Sequence, residues 1–146
     1  MSLEENKAIV RKFIEAYNKH DLSSIDDFVA PNFVDHTHHT GREGLKQLFA
    51  MAFKAFPDWH ETIEDIIAEG DKVWIRAKST ETHTGEFMGI APTGKKLTTE
   101  MVDIYRIVDG KHVEGRFVVD QLDFLKGLGV IEYTEKGKKL FPQDVK

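Results

Sequence analysis

The sequence predicts one α+β domain spanning residues 1–146. Three observations predict it. Apolar residues recur at helical spacing through the first third of the chain, and from Trp59 onward the period shortens to nearly two. Two turn-forming dipeptides, Gly70-Asp71 and Asp109-Gly110, divide that second part into hairpins. Helices first and antiparallel strands after put the helices over one face of a curved sheet, the shape of a cone with a cavity inside.

Each element follows from local signals. Ser2 with Glu5 three residues on forms a capping box, and Val10, Phe13, Ile14 and Tyr17 follow at helical spacing. Leu22, Ile25, Phe28 and Val29 make a second, shorter stripe stopped by Pro31. Thr40 and Glu43 offer another capping box, from which Leu45, Leu48, Phe49, Ala52 and Phe56 continue as one apolar face to Pro57. "WHETIEDIIAEGDKVWIRAKSTETH" then reads as two strands folded back at Gly70-Asp71, and "KKLTTEMVDIYRIVDGKHVEGRFVVD" as a second hairpin turning at Asp109-Gly110. A short helix from Gln121 to Leu128, capped by Gly129, precedes a polar tail.

Composition removes several classes of function. The chain has no cysteine, so disulfides, thiolate nucleophiles and cysteine-held metals are excluded. A formal net charge of −5 gives no footprint for nucleic acid, and "EKGKK" reads as a solvated tail. No apolar run is long enough for a bilayer, and "MSLEENKAIVRKF" lacks a secretory core, so the expectation is a cytoplasmic protein with no membrane partner.

The second hairpin carries the chemistry. Counting outward from a two-residue turn, Val108 faces Lys111, and one face collects Met101, Asp103, Tyr105 and Ile107 with His112, Glu114, Arg116, Val118 and Asp120. The other face holds Val102, Ile104, Val113, Phe117 and Val119, apolar enough to expect assembly into a homodimer through the sheet. In this register Arg116 sits opposite Asp103, which leaves Asp120 without a close cation. Enclosure among apolar groups would equip such a carboxyl to hold and release a proton near neutral pH. Asp120 also stands where a cap for the next helix is needed, and both roles are compatible.

Other motifs weigh less. "DHTHHT" brings His36, His38 and Asp35 together, but it lacks a helical His pair or a flanking ligand set, so no metal is expected. "GIAPTGKK" lacks the glycine spacing and following helix of a phosphate loop. Trp59, Trp74 and the phenylalanines read as core residues that also make an apolar cavity plausible.

Taken in order, "NKHDLSSIDDFVAPNFVDH", "AFPDW", "AEGDKVWIR", "THTGEFMGIAPTGKK" and "IVDGKHVEGRFVVDQLDFLKGLGVI" resemble the SnoaL-like polyketide (ester) cyclases of the NTF2-like superfamily, from about Asn18 to Ile131. The resemblance implies a cone-shaped α+β barrel, usually a homodimer, binding a small-molecule ligand in its cavity with no metal or organic cofactor. It implies that Asp120 is the acid/base of an intramolecular aldol condensation and that His36 and His83 line the cavity. With the hairpin register it gives a substrate-binding set of His36, His83, Arg116, Asp103, Met101 and Tyr105. Two positions depart from the family pattern: Arg116 stands where tryptophan is frequent, and Glu81 where glycine often precedes "TH". A cation in place of an aromatic ring suits a carboxylate or phosphate anchor. The expected function is a cyclase, isomerase or lyase acting on a small carbonyl compound; the alternative is a non-catalytic ligand-binding or assembly domain.

Overall fold

The computed structural model describes residues 2–144. Helix α1 (Leu3–Asn18) starts as its capping signal requires: Ser2 Oγ accepts the Glu5 N–H at 3.1 Å. It buries Val10, Phe13 and Ile14. The second stripe divides. A 3₁₀ turn at Leu22–Ser24 and the single-turn α2 (Ile25–Phe28) end before Val29, where strand β1 (Val29–Asp35) begins and runs through Pro31. Proline is tolerated there because β1 is an edge strand, which leaves one row of backbone groups unpaired. Helix α3 (Arg42–Ala55) is capped by Gly41, contrary to the Thr40–Glu43 expectation. The Thr40 backbone is already engaged, donating to and accepting from Asp35 at 3.3 and 2.8 Å.

Both predicted hairpins form. Strands β2 (His60–Glu69) and β3 (Lys72–Thr82) pair Glu69 with Lys72 across Gly70-Asp71. Strands β4 (Lys96–Val108) and β5 (Lys111–Val119) pair Val108 with Lys111, and Asp109 and Gly110 take φ values of 50° and 77°, the left-handed pair of a type I′ turn. The sheet order is β1-β5-β4-β3-β2, with β1 parallel to β5, so the sheet stays open at both edges. Helix α4 (Gln121–Leu128) ends at Gly129 in the left-handed conformation, as predicted. The segment read as a polar tail contains a further helix, α5 (Glu135–Leu140), capped by Thr134 Oγ1.

The register of the second hairpin differs from simple counting. Arg106 pairs with Glu114 but Ile107 with His112, so Val113 is an extra residue in β5. A one-residue bulge flips every later side chain to the other face. Asp103 therefore faces Phe117, and Arg116 faces Ile104. The inner face keeps Met101, Asp103, Tyr105, Ile107 and His112 and gains Gly115, Phe117 and Val119. Glu114, Arg116 and Val118 turn outward, and the expected Asp103–Arg116 pairing does not form.

Helices α1 and α3 cover the inner face. Val10, Phe13, Ile14, Phe33, Leu45, Val73, Ile75, Met101 and Tyr105 fill the central core. At the other end of the sheet Ala55, Phe56, Leu97 and Leu128 form a second cluster, joined by Trp59, Phe87, Ile90 and Phe124. On the outer face Ile67, Trp74 and Val118 are exposed.

Candidate functional site

The inner face carries an unusual row of polar side chains. Glu61, Ser79, Glu81, His83, Thr99, Asp103 and His112 are all buried, and no lysine or arginine is among the buried residues described. Carboxyl groups enclosed without a cation favour their protonated forms. The backbone of Glu61 is clamped to α1: its N–H donates to Asn18 Oδ1 and its carbonyl accepts from Asn18 Nδ2, both at 2.8 Å. Its carboxyl and that of Asp103 on β4 act on each other's charge, and Asp103 Oδ2 accepts from the Tyr105 hydroxyl at 3.2 Å. Burial pushes Asp103 up to about 6, and burial together with the neighbouring Asp103 charge pushes Glu61 well above the usual carboxylate range. The pair thus shares a proton at neutral pH. Burial also raises the Tyr17 and Tyr105 hydroxyls, and it drives His112 down to about 3, so that its ring stays neutral between Phe13 and Tyr105 at centroid distances of 4.6 Å.

Toward the second cluster the polar row continues. Thr99 Oγ1 donates to Glu81 Oε1 at 2.7 Å, and burial raises Glu81 against the opposing effect of the Thr99 and Ser79 hydroxyls. His83 lies one residue beyond β3 but keeps the ladder: its N–H donates to the Lys95 carbonyl at 2.9 Å, and its own carbonyl accepts from Gly94 at 2.8 Å. Its Nδ1 accepts the Thr93 N–H at 3.2 Å and its ring packs 5.3 Å from that of Phe56. Glu81 Oε2 and His83 Nε2 have no hydrogen-bond partner among the described residues. Leaving such an atom unpaired costs about 1–3 kcal/mol.

Asp120 begins α4 at this same end. Its backbone N–H donates to the carbonyl of Glu100, next to Thr99, at 3.0 Å, and its Oδ1 accepts the Asp123 N–H at 3.1 Å. The side chain is exposed at the rim, not enclosed in a dry hollow as the counted register implied. The bulge at Val113 is the reason, since it turns the end of β5 around. Among the predicted residues, Met101, Asp103 and Tyr105 meet on the inner face, and His83 is buried beyond them. His36 and Arg116 are on the other side of the sheet, in a groove of about 180 Å³ also lined by Lys72, Arg106 and Glu114. There His36 Nε2 sits 3.4 Å from Glu114 Oε1, and Arg116 is exposed. His38 Nδ1 is held 2.7 Å from Asp35 Oδ2.

The sequence reading missed Glu61, Tyr17 and Thr99, and it noted Glu81 only as a departure. The available signal was alternation: Glu61 lies two residues before the half-buried Ile63, and Glu81 lies between the buried Ser79 and His83, two residues from each.

Comparisons with known proteins agree with this fold. A family model described as SnoaL-like polyketide cyclase matches residues 7–128. The aklanonic acid methyl ester cyclase AcmA of Streptomyces galilaeus is 29% identical over 116 residues, covering 75% of this chain and 80% of that protein. DauD of Streptomyces sp. strain C5, with the same described activity, is 28% identical over 142 residues, covering 92% and 88%. Among solved structures, AclR from Streptomyces galilaeus, a candidate hydroxylase, superposes with a TM-score of 0.84 at 35% identity over 90% of this chain and 100% of that one. IdmH from Streptomyces antibioticus, a candidate polyketide cyclase, gives 0.76 at 31% identity over 85% and 98%.

Proposed function

Because this chain belongs to the SnoaL-like polyketide cyclase family, we propose that it closes a ring in a small polyketide ester by intramolecular aldol condensation, with Asp120 as acid and base and no cofactor. The Asp120 carboxylate removes a proton from the carbon between two carbonyl groups. The resulting enolate carbon attacks a second carbonyl of the same molecule, forming the C–C bond, and the alkoxide so created takes the proton back from Asp120. The product is an isomer of the substrate, so no co-reactant is consumed.

The observation that carries the reading is the family match over residues 7–128, which includes Asp120 at the start of α4. One oxygen caps α4, the side chain is open to an arriving ligand, and the adjacent inner residues Phe117 and Val119 are apolar. A carboxylate that is reachable and fixed by one hydrogen bond suits proton transfer to and from a bound substrate. The buried row behind it, free of cations, suits a neutral molecule rich in carbonyl and hydroxyl groups. Homodimerisation through the outer face, where Ile67, Trp74 and Val118 are exposed, belongs to the same reading.

The test uses aklanonic acid methyl ester, the compound named for AcmA and DauD. Incubation with the purified chain should yield a product of unchanged mass with a new ring, seen by chromatography and NMR. Substrate recovered unchanged, when AcmA converts it in parallel, would count against this substrate class.

A further inference from the structure

We propose that the groove on the outer face of the sheet is a second binding site, which takes a small organic anion: a carboxylate or phosphate head held by Arg116 and Lys72, with a short apolar body lying over Ile104. It stands apart from the cyclase reading, because Asp120 and the buried acids belong to the rim and the inner face.

The bulge at Val113 builds the site. By adding one residue to β5 it turns Glu114 and Arg116 outward, beside Arg106 and Ile104 of β4. On β3, Lys72 pairs with Arg106 and Trp74 with Ile104. One cross-strand row therefore reads Lys72, Arg106, Glu114, and the next reads Trp74, Ile104, Arg116. Lys72, Ile104, Arg106, Glu114 and Arg116 line one hollow of about 180 Å³, together with His36, just past the end of β1. Three permanent cations and one carboxylate surround it. The chain as a whole carries a net charge of −5, so the hollow is opposite in sign to the molecule around it.

The ion pairs decide which of these cations are free. Asp71 holds Arg106 at 2.7 Å, Glu114 Oε2 lies 4.0 Å from the same guanidinium, and Glu114 Oε1 faces His36 Nε2 at 3.4 Å. Both Glu114 oxygens are thus engaged. Arg116 and Lys72 are exposed and have no carboxylate partner among the described residues. Two strands and two residues separate them, which sets their Cα atoms about 12 Å apart with Ile104 between. Side chains of that length close such a span onto one anionic group, to which a guanidinium presents two parallel N–H donors. The half-buried Ile104 and the stems of the cations leave an apolar floor for the body of the ligand. The volume suits a single ring, being below the roughly 300 Å³ at which pockets for drug-sized ligands begin. Ile67, Trp74 and Val118, the exposed apolar residues of this face, do not line it.

Calorimetry with benzoate, phenyl phosphate and the neutral benzamide tests the site on the wild-type chain, Arg116→Leu, Lys72→Met, Glu114→Gln and Arg76→Leu. Wild type should bind one of the two anions at least about tenfold more tightly than benzamide, and the better of the two identifies the head as carboxylate or phosphate. Arg116→Leu should weaken that anion about tenfold and Lys72→Met about threefold, whereas Glu114→Gln, which removes the carboxylate of the hollow, should tighten it about threefold. Arg76→Leu removes an exposed arginine of the same face that lies outside the hollow, 2.8 Å from Asp65, and should change nothing. An affinity unchanged in Arg116→Leu, equal losses in Arg76→Leu and Arg116→Leu, or benzamide binding as well as the anions overturns the site. So does anion binding that disappears as light scattering reports dimers, since a second copy then covers the hollow.

Discussion

The Glu61 carboxyl on β2 and the Asp103 carboxyl on β4 act on each other across the intervening strand, beneath α1, and Glu61 Oε1 and Asp103 Oδ1 are both buried without a hydrogen-bond partner among the described residues. Two acids in this position hold one proton between them because neither finds a cation and both are out of water. The pair works against folding once it must ionise.

Asp103→Asn therefore changes how stability depends on pH. The folded state holds the Asp103 proton up to about 6, and the unfolded chain only to about 4. Its contribution is complete below pH 4 and is lost as pH rises through 6, a decline on the order of 3 kcal/mol. The asparagine variant should lack that decline and gain on wild type between pH 4 and pH 7, as read from urea midpoints across the range. A parallel pH profile for the two proteins would contradict the shared proton.

His112 acts with the opposite sign. Its folded value is about 3, against about 6.5 when unfolded, so the unfolded chain binds more protons in that interval. Stability from this group is complete above pH 6.5 and drains as pH falls toward 3. Between pH 6 and 4 it opposes the Asp103 contribution. His112→Phe should expose the latter, rising in stability by about 2–3 kcal/mol from pH 6 to pH 4 relative to wild type, by the same urea titrations.

Gly85→Ala should be severe. A Cβ at Gly85 would collide with the backbone carbonyl of Lys54, and the Ala55 carbonyl beside it accepts N–H groups from Thr84 and Gly85. Backbone cannot yield as a side chain can, so a loss of about 2–4 kcal/mol is expected in chemical denaturation.

Asp120→Ala should cost about 1 kcal/mol through the lost α4 cap, and Asp120→Asn a few tenths or less, because asparagine caps as well. Thermal melts of the two variants check the difference.

Periodicity and turn chemistry made most elements legible: the Ser2 cap, both hairpin turns and the Gly129 stop stand where the residues imply. What escaped has a physical reason. The bulge at Val113 adds one residue with no compositional mark, yet it alone separates Asp103 from Arg116 and turns Asp120 to the rim. Pro31 read as a helix stop because its tolerance in an edge strand depends on which strand becomes the edge, a tertiary property. Glu61 escaped because a charged residue in a strand is by default a solvent-facing one. Its burial follows from α1 lying above it, tied by Asn18.

Single-turnover conversion of aklanonic acid methyl ester by Asp120→Asn tests the account most directly. A chain whose melting temperature stays within about 2 °C of wild type, still binds the ester, and closes the ring at least a hundredfold more slowly is the predicted result. Ring closure at the wild-type rate would contradict it.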